Sequence, residues 1–162
     1  MNRTRSRYQV TIEADPKLPI IRITRDFDAT PAELMRAHTD PALFARWVGP
    51  NGSDIRILDW DATTGGRWRF VGGLDGEEYA FHGCFHEVRP SELIVQTFTW
   101  EGMPDGVSLE KLVLEDLGDG RTRLIATSLV DSFEERDAFV SSGMEEGIKE
   151  GYERLDEVLA EV

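Results

Sequence analysis

Apolar and polar residues alternate with a period of two from Asp54 to Leu129, which predicts a series of short, half-buried β-strands. Clusters of Gly, Pro, Asp and Ser separate the alternating segments, as is typical of tight turns between antiparallel strands. A further segment ahead of them, 19–27, alternates in the same way. The pattern therefore predicts strands at 19–27, 54–60, 66–72, 77–88, 92–101, 107–117 and 121–130.

Helix signals occupy the two stretches where this alternation breaks. Thr30-Pro31 and Asp40-Pro41 each place a capping side chain before a proline, so two short helices are expected after the first strand. Ser132 with Glu135 predicts another short helix, and Ser142 with Glu145 predicts a long C-terminal one. One apolar face of the long helix recurs every three or four residues: Met144, Ile148, Tyr152, Leu155, Leu159 and Val162.

The order of these elements predicts an α+β fold, with a curved, seven-stranded antiparallel sheet around the long C-terminal helix. A helix is only ~10–12 Å wide with its side chains, so it covers part of such a sheet and leaves a space beside it. Residues 19–162 are expected to form this domain. Residues 1–18 are expected to be an N-terminal extension with one candidate strand at 8–13.

Composition narrows the class of protein. The 162 residues suit one domain, and 31 acidic against 18 basic residues give a net charge of −13. Such a charge opposes non-specific binding to DNA, RNA or anionic lipid. One cysteine, Cys84, excludes an intrachain disulfide, and no apolar run approaches the ~20 residues that a membrane span needs. Without a signal-peptide pattern at the N-terminus, a cytoplasmic protein is predicted.

The charge is concentrated at the C-terminal end. Residues 131–162 contain eleven acidic and three basic side chains. Two interpretations stay open: an acidic face of the last helix that is simply solvated, or one that docks a basic protein partner.

Eight short motifs occur in order along residues 19–162. They are Ile23 to Ala29 with Pro31, Thr39-Asp40-Pro41, Arg46-Trp47-Val48-Gly49-Pro50, Gly65-Gly66-Arg67-Trp68-Arg69-Phe70, Gly83 with Glu87-Val88, Pro90 with Glu92, Gly118-Asp119-Gly120, and Gly151-Tyr152 with Leu155 and Leu159. In this order they resemble the family named after the C-terminal domain of the activator of the 90-kDa heat-shock protein ATPase, within the START-related SRPBCC superfamily. The family usually has two tryptophans before Gly49-Pro50, and a tryptophan in place of Tyr152.

The resemblance implies the helix-grip fold, in which a curved sheet grips a long helix. The superfamily includes lipid carriers, polyketide cyclases and aromatases, hydroxylase components, resistance proteins that sequester toxins, and stress-response proteins. The family has no shared catalytic motif to transfer to this chain. Chaperone activation therefore does not follow from the family name.

Strand phase and helix phase together predict a ligand cavity between the sheet and the last helix. Bulky residues share one face of each strand, and they are expected to point toward the apolar face of the helix. A fully packed core without a void is the alternative. The predicted lining consists of Trp68, Phe70, Tyr79, Phe81, Gln96, Phe98, Trp100, Glu110, Leu112, Met144, Ile148 and Tyr152.

Two polar residues fall in phase with this apolar wall. Gln96 and Glu110 are predicted to face inward, and a buried carboxylate needs a partner, water or a ligand. A strand bulge that turns Glu110 outward is the alternative.

Glycines recur every fourth residue at Gly143, Gly147 and Gly151 in the last helix. Such a stripe lets another surface approach the backbone closely. Packing on the sheet, a ligand wall and a helix contact in a homodimer all remain open.

The histidines predict no metal centre. His82, Cys84 and His86 alternate on one strand face, where same-face residues stand ~6.8 Å apart, so one ion cannot join all three. That face is opposite Phe81 and is expected to be the outer one. His38, on the first short helix, is predicted to be a surface or packing residue. Neither a metal nor another cofactor is predicted.

Three functions, each from a different class of protein, are consistent with these predictions. The first is binding of a small apolar or aromatic molecule in the cavity, and the second is a cyclase, aromatase or hydrolase that uses the same cavity. The third is a co-chaperone-like interaction through the acidic helix or the sheet. No catalytic residue is assigned, since Gly-x-Ser-x-Gly is absent and the histidines beside Cys84 lie beyond hydrogen-bond reach. An enzyme is therefore the less favoured interpretation.

Overall fold

The computed structural model describes residues 7–162 of the chain. Strands and helices follow one another as the alternation and the capping residues predict. In chain order they are β1 (Thr11–Ala14), β2 (Ile20–Phe27), α1 (Pro31–Thr39), α2 (Pro41–Trp47), β3 (Asp54–Trp60), β4 (Arg67–Leu74), β5 (Glu77–Arg89), β6 (Leu93–Trp100), β7 (Ser108–Gly118), β8 (Arg121–Leu129), α3 (Phe133–Ser141) and α4 (Met144–Leu159).

The strands form one antiparallel sheet in the order β1-β2-β8-β7-β6-β5-β4-β3. The six strands from β3 to β8 make a meander, and β2 closes against β8 along its whole length, from Ile20 opposite Leu129 to Phe27 opposite Thr122. The α+β helix-grip prediction is confirmed, with one correction. Within residues 7–162 the sheet has eight strands rather than seven, because β1 of the predicted extension pairs with β2.

Three of the predicted helix starts are confirmed by their capping hydrogen bonds. The side chain of Thr30 accepts a hydrogen bond from the backbone N–H of Glu33 at 3.2 Å, and Asp40 does the same for Ala42 at 2.9 Å. Ser132 accepts from the N–H of Glu135 at 3.1 Å. These caps satisfy backbone donors that the first turn of a helix leaves without partners.

The start of the long helix differs from the prediction. Ser142 ends α3, and its hydroxyl donates to the carbonyl oxygen of Phe139 instead of capping α4. Gly143 takes the N-cap position at φ 85°, in the left-handed region that a residue without a Cβ enters freely. The chain therefore breaks between two helices at the glycine, and α4 has 16 residues. Val162 lies beyond its end and is exposed.

Side chains from β2 and α2 hold α4 in place. The buried guanidinium of Arg25 makes a two-point salt bridge to Asp156, at 2.7 and 2.6 Å. The ring of Tyr152 meets Phe27 edge-on, with centroids 5.4 Å apart, and lies 6.1 Å from Trp47. These contacts fix which face of α4 looks toward the sheet.

The glycines of α4 pack against a loop rather than against the sheet. A Cβ on Gly151 would lie 3.1 Å from the carbonyl oxygen of Trp47, and one on Gly147 would lie 3.6 Å from Pro50. The expected close approach is present, but its partner is the turn after α2. Gly143 precedes the helix, and a Cβ there would meet no other atom within 4 Å, so it makes no such close approach.

Candidate ligand-binding site

A cavity of about 650 Å³ lies between the inner face of the sheet and α4. Residues of α1, α2 and the loop 48–50 contribute to its wall, and α3 reaches it through Phe139 and Ser142. The volume lies within the range of ~300–1,000 Å³ that is typical of small-molecule sites. The alternative of a core fully packed by side chains does not hold.

Most of the predicted lining residues are brought together at this cavity. Strand alternation and helix spacing correctly predicted that ten of the twelve residues line it. They are Trp68, Phe70, Phe81, Gln96, Phe98, Glu110, Leu112, Met144, Ile148 and Tyr152.

Four aromatic rings form a continuous wall on the sheet side. Trp68 stacks on Phe70 with centroids 5.5 Å apart and an interplanar angle of 21°. Phe81 lies 5.2 Å from Phe70 and 5.3 Å from Phe98. Such spacings are favourable for aromatic pairs. The indole N–H of Trp68 is the one buried side-chain donor or acceptor in residues 7–162 without a hydrogen-bond partner.

Two predicted lining residues, Tyr79 and Trp100, do not reach the cavity. Tyr79 is 37% exposed and donates its hydroxyl proton to Glu77, while Trp100 is 41% exposed and its ring lies over Gly102. Both stand near the end of a strand beside a turn, where the alternation continues but the side chain is open to water. The inward assignment of these two residues is corrected.

Glu110 faces the cavity, and the alternative of an outward-turning bulge does not hold. It pairs in regular register with Gln96 on β6 and Ser128 on β8. Its carboxylate accepts hydrogen bonds from the Gln96 amide at 3.4 Å, from the Ser108 hydroxyl at 3.4 Å and from the Ser128 hydroxyl at 3.3 Å. Burial raises the pKa of Glu110, because loss of water disfavours the charge more than these three long hydrogen bonds restore.

Tyr152 adds a second polar group to the same cavity. Burial raises the pKa of its hydroxyl; the charge of Arg25 acts against that rise and the charge of Glu110 adds to it. The phenol is therefore neutral at ordinary pH, when it can donate or accept a hydrogen bond.

His38 is a cavity residue that the sequence analysis did not identify. It packs against Trp47 with ring centroids 4.9 Å apart, so the packing part of the prediction holds, but it also lines the cavity. Its Nδ1 lies 2.8 Å from the carbonyl oxygen of Leu34, and burial lowers its pKa to about 4. A neutral ring that donates from Nδ1 leaves Nε2 as an acceptor. His38 lies four residues after Leu34, on the same face of α1, and this spacing could have indicated that it points inward.

The remaining cavity residues come partly from a strand with a readable alternation and partly from segments without one. Ala126 and Ser128 on β8 alternate in phase with the buried Leu124, which was a usable signal. Residues 48–50 belong to a turn, and Phe139 belongs to α3, so only the tertiary structure places them there.

The outer face of β5 is exposed at His82, Cys84 and His86, as the strand geometry predicts. His82 lies 3.3 Å from Glu101, which also pairs with Arg69 at 2.8 Å. Across residues 7–162, no group of three or more His, Cys, Asp or Glu side chains is placed to hold a metal ion. In the same part of the chain, no helix has both the length and the apolar character of a membrane span.

The family model for "Activator of Hsp90 ATPase homolog 1-like protein" matches residues 28–160. The chain therefore belongs to this family, within the SRPBCC superfamily of helix-grip proteins. No curated protein matches the sequence.

Solved structures of bacterial proteins share the whole fold. A crystal structure from Rhodobacter sphaeroides has 27% sequence identity and a TM-score of 0.82, and covers 95% of this chain and 99% of its own. A solution structure from Arthrobacter aurescens has 26% identity and a TM-score of 0.84, and covers 94% and 92%. A crystal structure from Mycobacterium smegmatis, at 24% identity and a TM-score of 0.83, covers 93% and 97% and resembles this chain in fold.

Proposed function

We propose that this helix-grip domain belongs to a cytoplasmic protein and binds a small apolar or aromatic molecule between its sheet and α4. The observation that supports this most is the cavity of about 650 Å³, with an aromatic wall and a few polar groups. The apolar wall of such a cavity faces water when no ligand is bound, and a ligand that covers it removes this surface from water.

Native mass spectrometry of the freshly purified protein is the first test. A small molecule that survives purification would add its mass to the 18.3 kDa chain. Its identity would then direct the choice of compounds for the next step.

A thermal-shift screen with aromatic, polyketide-like and fatty-acyl compounds is the second test. A fitting ligand stabilises the folded state by RT ln(1 + [L]/Kd), which is ~2.7 kcal/mol at a hundredfold excess over Kd. For a domain of this size we expect a rise of several degrees in Tm.

Gly147→Leu is the matched variant for this screen. Gly147 lines the cavity, so a leucine there should fill part of the space and abolish the ligand shift. Lys149→Leu, at an exposed position of the same helix that does not line the cavity, is the control and should retain it. If no compound shifts the wild type and no molecule copurifies, the ligand-binding proposal is wrong.

An enzyme of the cyclase, aromatase or hydrolase type is the second candidate. Glu110 supports it, since a carboxyl with a raised pKa on the wall of an open cavity is suited to general acid or base work. Turnover that Glu110→Gln abolishes while ligand-induced stabilisation persists would favour this candidate.

A further inference from the structure

The polar part of the cavity wall carries an acidic group whose partners are all neutral. The three side chains that donate to Glu110 are Gln96, Ser108 and Ser128, at 3.3 to 3.4 Å. No positive charge contributes to its pKa. Burying a carboxylate costs free energy because its charge loses water, and long hydrogen bonds from neutral donors offset only a small part of that cost.

Among the described residues, one lysine and no arginine line the cavity. Arg25 is bridged to Asp156 and does not line the cavity. Lys111, which follows Glu110 on the strand, is that lysine. It is exposed, borders a groove with His86 and Glu87 of the outer face, and does not contribute to the pKa of Glu110. His38 is the other described lining side chain that can become positively charged, and burial keeps it neutral at ordinary pH.

The aromatic wall suits a positive charge as well as an apolar body. Phe98 is two residues from Gln96 on the inner face of β6, and Phe81 and Trp68 pack against it at 5.3 and 5.4 Å. The face of an aromatic ring attracts cations, and this attraction grows when water is excluded. The rings of this wall carry no positive charge for an anion, and the indole N–H of Trp68 is their one unpaired donor among the described residues.

Further acidic groups line the cavity where α4 borders it. Glu146 and Glu150 are lining residues, and the chain carries a net charge of −13. The resulting field attracts cationic ligands and repels carboxylates such as fatty acids.

We infer that the cavity selects amphiphiles that carry a protonated amine on an aromatic or apolar body, with Glu110 as the counter-ion. This inference rests on the proposed ligand-binding function and names its substrate class. Fatty acids and other organic anions are disfavoured by the same arrangement.

Isothermal titration calorimetry with three probes that share one ring system tests this selectivity. The probes are naphthylmethylamine, naphthylmethanol and naphthoic acid, titrated into the whole chain at a pH near 8. The amine is expected to bind at least tenfold more tightly than the alcohol, and the acid most weakly. Equal binding of amine and alcohol, tighter binding of the acid, or absence of amine binding overturns the inference.

Glu110→Gln separates the charge from the shape of the site. It should weaken the amine at least tenfold and change the alcohol by less than twofold. Glu115→Gln, at an exposed position of the same strand, is the control and should change neither. An equal loss for both probes in Glu110→Gln overturns the inference, and the wild-type comparison decides it if that variant does not fold.

The two proposals fail in different ways. If the alcohol or any compound of the thermal-shift screen binds without a preference for the amine, the inferred selectivity is wrong and ligand binding stands. If nothing binds in either experiment, the proposed function itself is wrong.

Discussion

Two tryptophans on neighbouring parts of the sheet show how position decides what a large side chain contributes. Trp68 is 3% exposed in the middle of the aromatic wall, whereas Trp100 is 41% exposed beside a turn. Both follow the same alternation, so their phase alone does not separate them. The neighbours differ: Trp68 packs against Phe70 and Phe98 in the wall, whereas Trp100 lies over Gly102 in the turn.

Truncation of these two tryptophans should have very different effects. Trp68→Ala is expected to lower the free energy of unfolding by ~3–5 kcal/mol, as a large-to-small change in the core does. Trp100→Ala is expected to cost less than about 1 kcal/mol, because much of its surface is already in water. Urea unfolding of both variants checks this, and a larger loss for Trp100→Ala would contradict the assigned burial.

His38 should make stability depend on pH in a defined window. Its folded pKa of about 4 lies below the ordinary value of 6.5, so the unfolded chain takes up the proton first as pH falls. Stability is therefore lost as pH falls from 6.5 toward 4. Between pH 7 and pH 5 we expect a loss of roughly 1–2 kcal/mol, since water that reaches the half-buried ring reduces the full effect.

His38→Asn should remove this pH dependence while keeping a side-chain donor near Leu34. Denaturant unfolding at the two pH values, for wild type and variant, measures the difference. The same loss between pH 7 and pH 5 in both proteins would show that His38 does not cause it.

Much of the candidate site could be predicted at the residue scale, since each strand or helix carries its own phase. Gln96 and Glu110 face inward because the pleat alternates without a bulge between them and their partners. The exposure of Tyr79 could not be predicted, because alternation gives the face of a strand but not whether other side chains cover that position.

At the scale of elements, α4 depends on its close approach to the turn that follows α2. Both internal glycines face that turn, but at different distances: a Cβ on Gly147 would make ordinary contact with Pro50 at 3.6 Å. A Cβ on Gly151 would press on the backbone oxygen of Trp47 at 3.1 Å. The two positions therefore separate helix propensity from packing.

Replacing each of the two glycines with alanine should change the free energy of unfolding in opposite directions, or by clearly unequal amounts. Gly147→Ala is expected to raise the free energy of unfolding by about 1 kcal/mol, since alanine favours a helix over glycine by that amount. Gly151→Ala should gain less or lose stability, because a backbone atom cannot move aside cheaply. Thermal unfolding measures both, and equal gains would contradict the close approach at Gly151.

The start of α4 and the pairing of β1 could not be predicted from local sequence patterns. Ser142 with Glu145 fits a capping box, yet Gly143 lets the chain turn between α3 and α4 and takes the cap position instead. β1 has only four residues, and its pairing with β2 depends on the free edge that β2 presents. Neither outcome is visible within the local segment.

At the scale of the whole molecule, Arg25 and Asp156 join the first long strand to the last helix across 131 residues of sequence. The guanidinium is 2% exposed and the carboxylate 29%. Removal of one partner of a buried pair leaves a charge without its counter-ion, which is costly.

Asp156→Asn is expected to lower the free energy of unfolding by about 3 kcal/mol for this reason. Glu161→Gln is the control, because Glu161 pairs with Arg46 in an exposed bridge near the end of the same helix and such bridges contribute ~0–1 kcal/mol. Chemical denaturation compares the two. A cost for Asp156→Asn no larger than that of the control would show that the bridge does not hold α4 on the sheet.

The sequence by itself determined the order of the elements, most of their boundaries and the inward phase of ten lining residues. These follow from periodicity, capping residues and turn residues, which act over a few neighbouring positions. Only the tertiary structure decided that the cavity stays open, that His38 and residues 48–50 reach it, and that Tyr79 and Trp100 do not. Each of these depends on how far one element covers another, and that distance is set by contacts such as Arg25 with Asp156, between residues far apart in the chain.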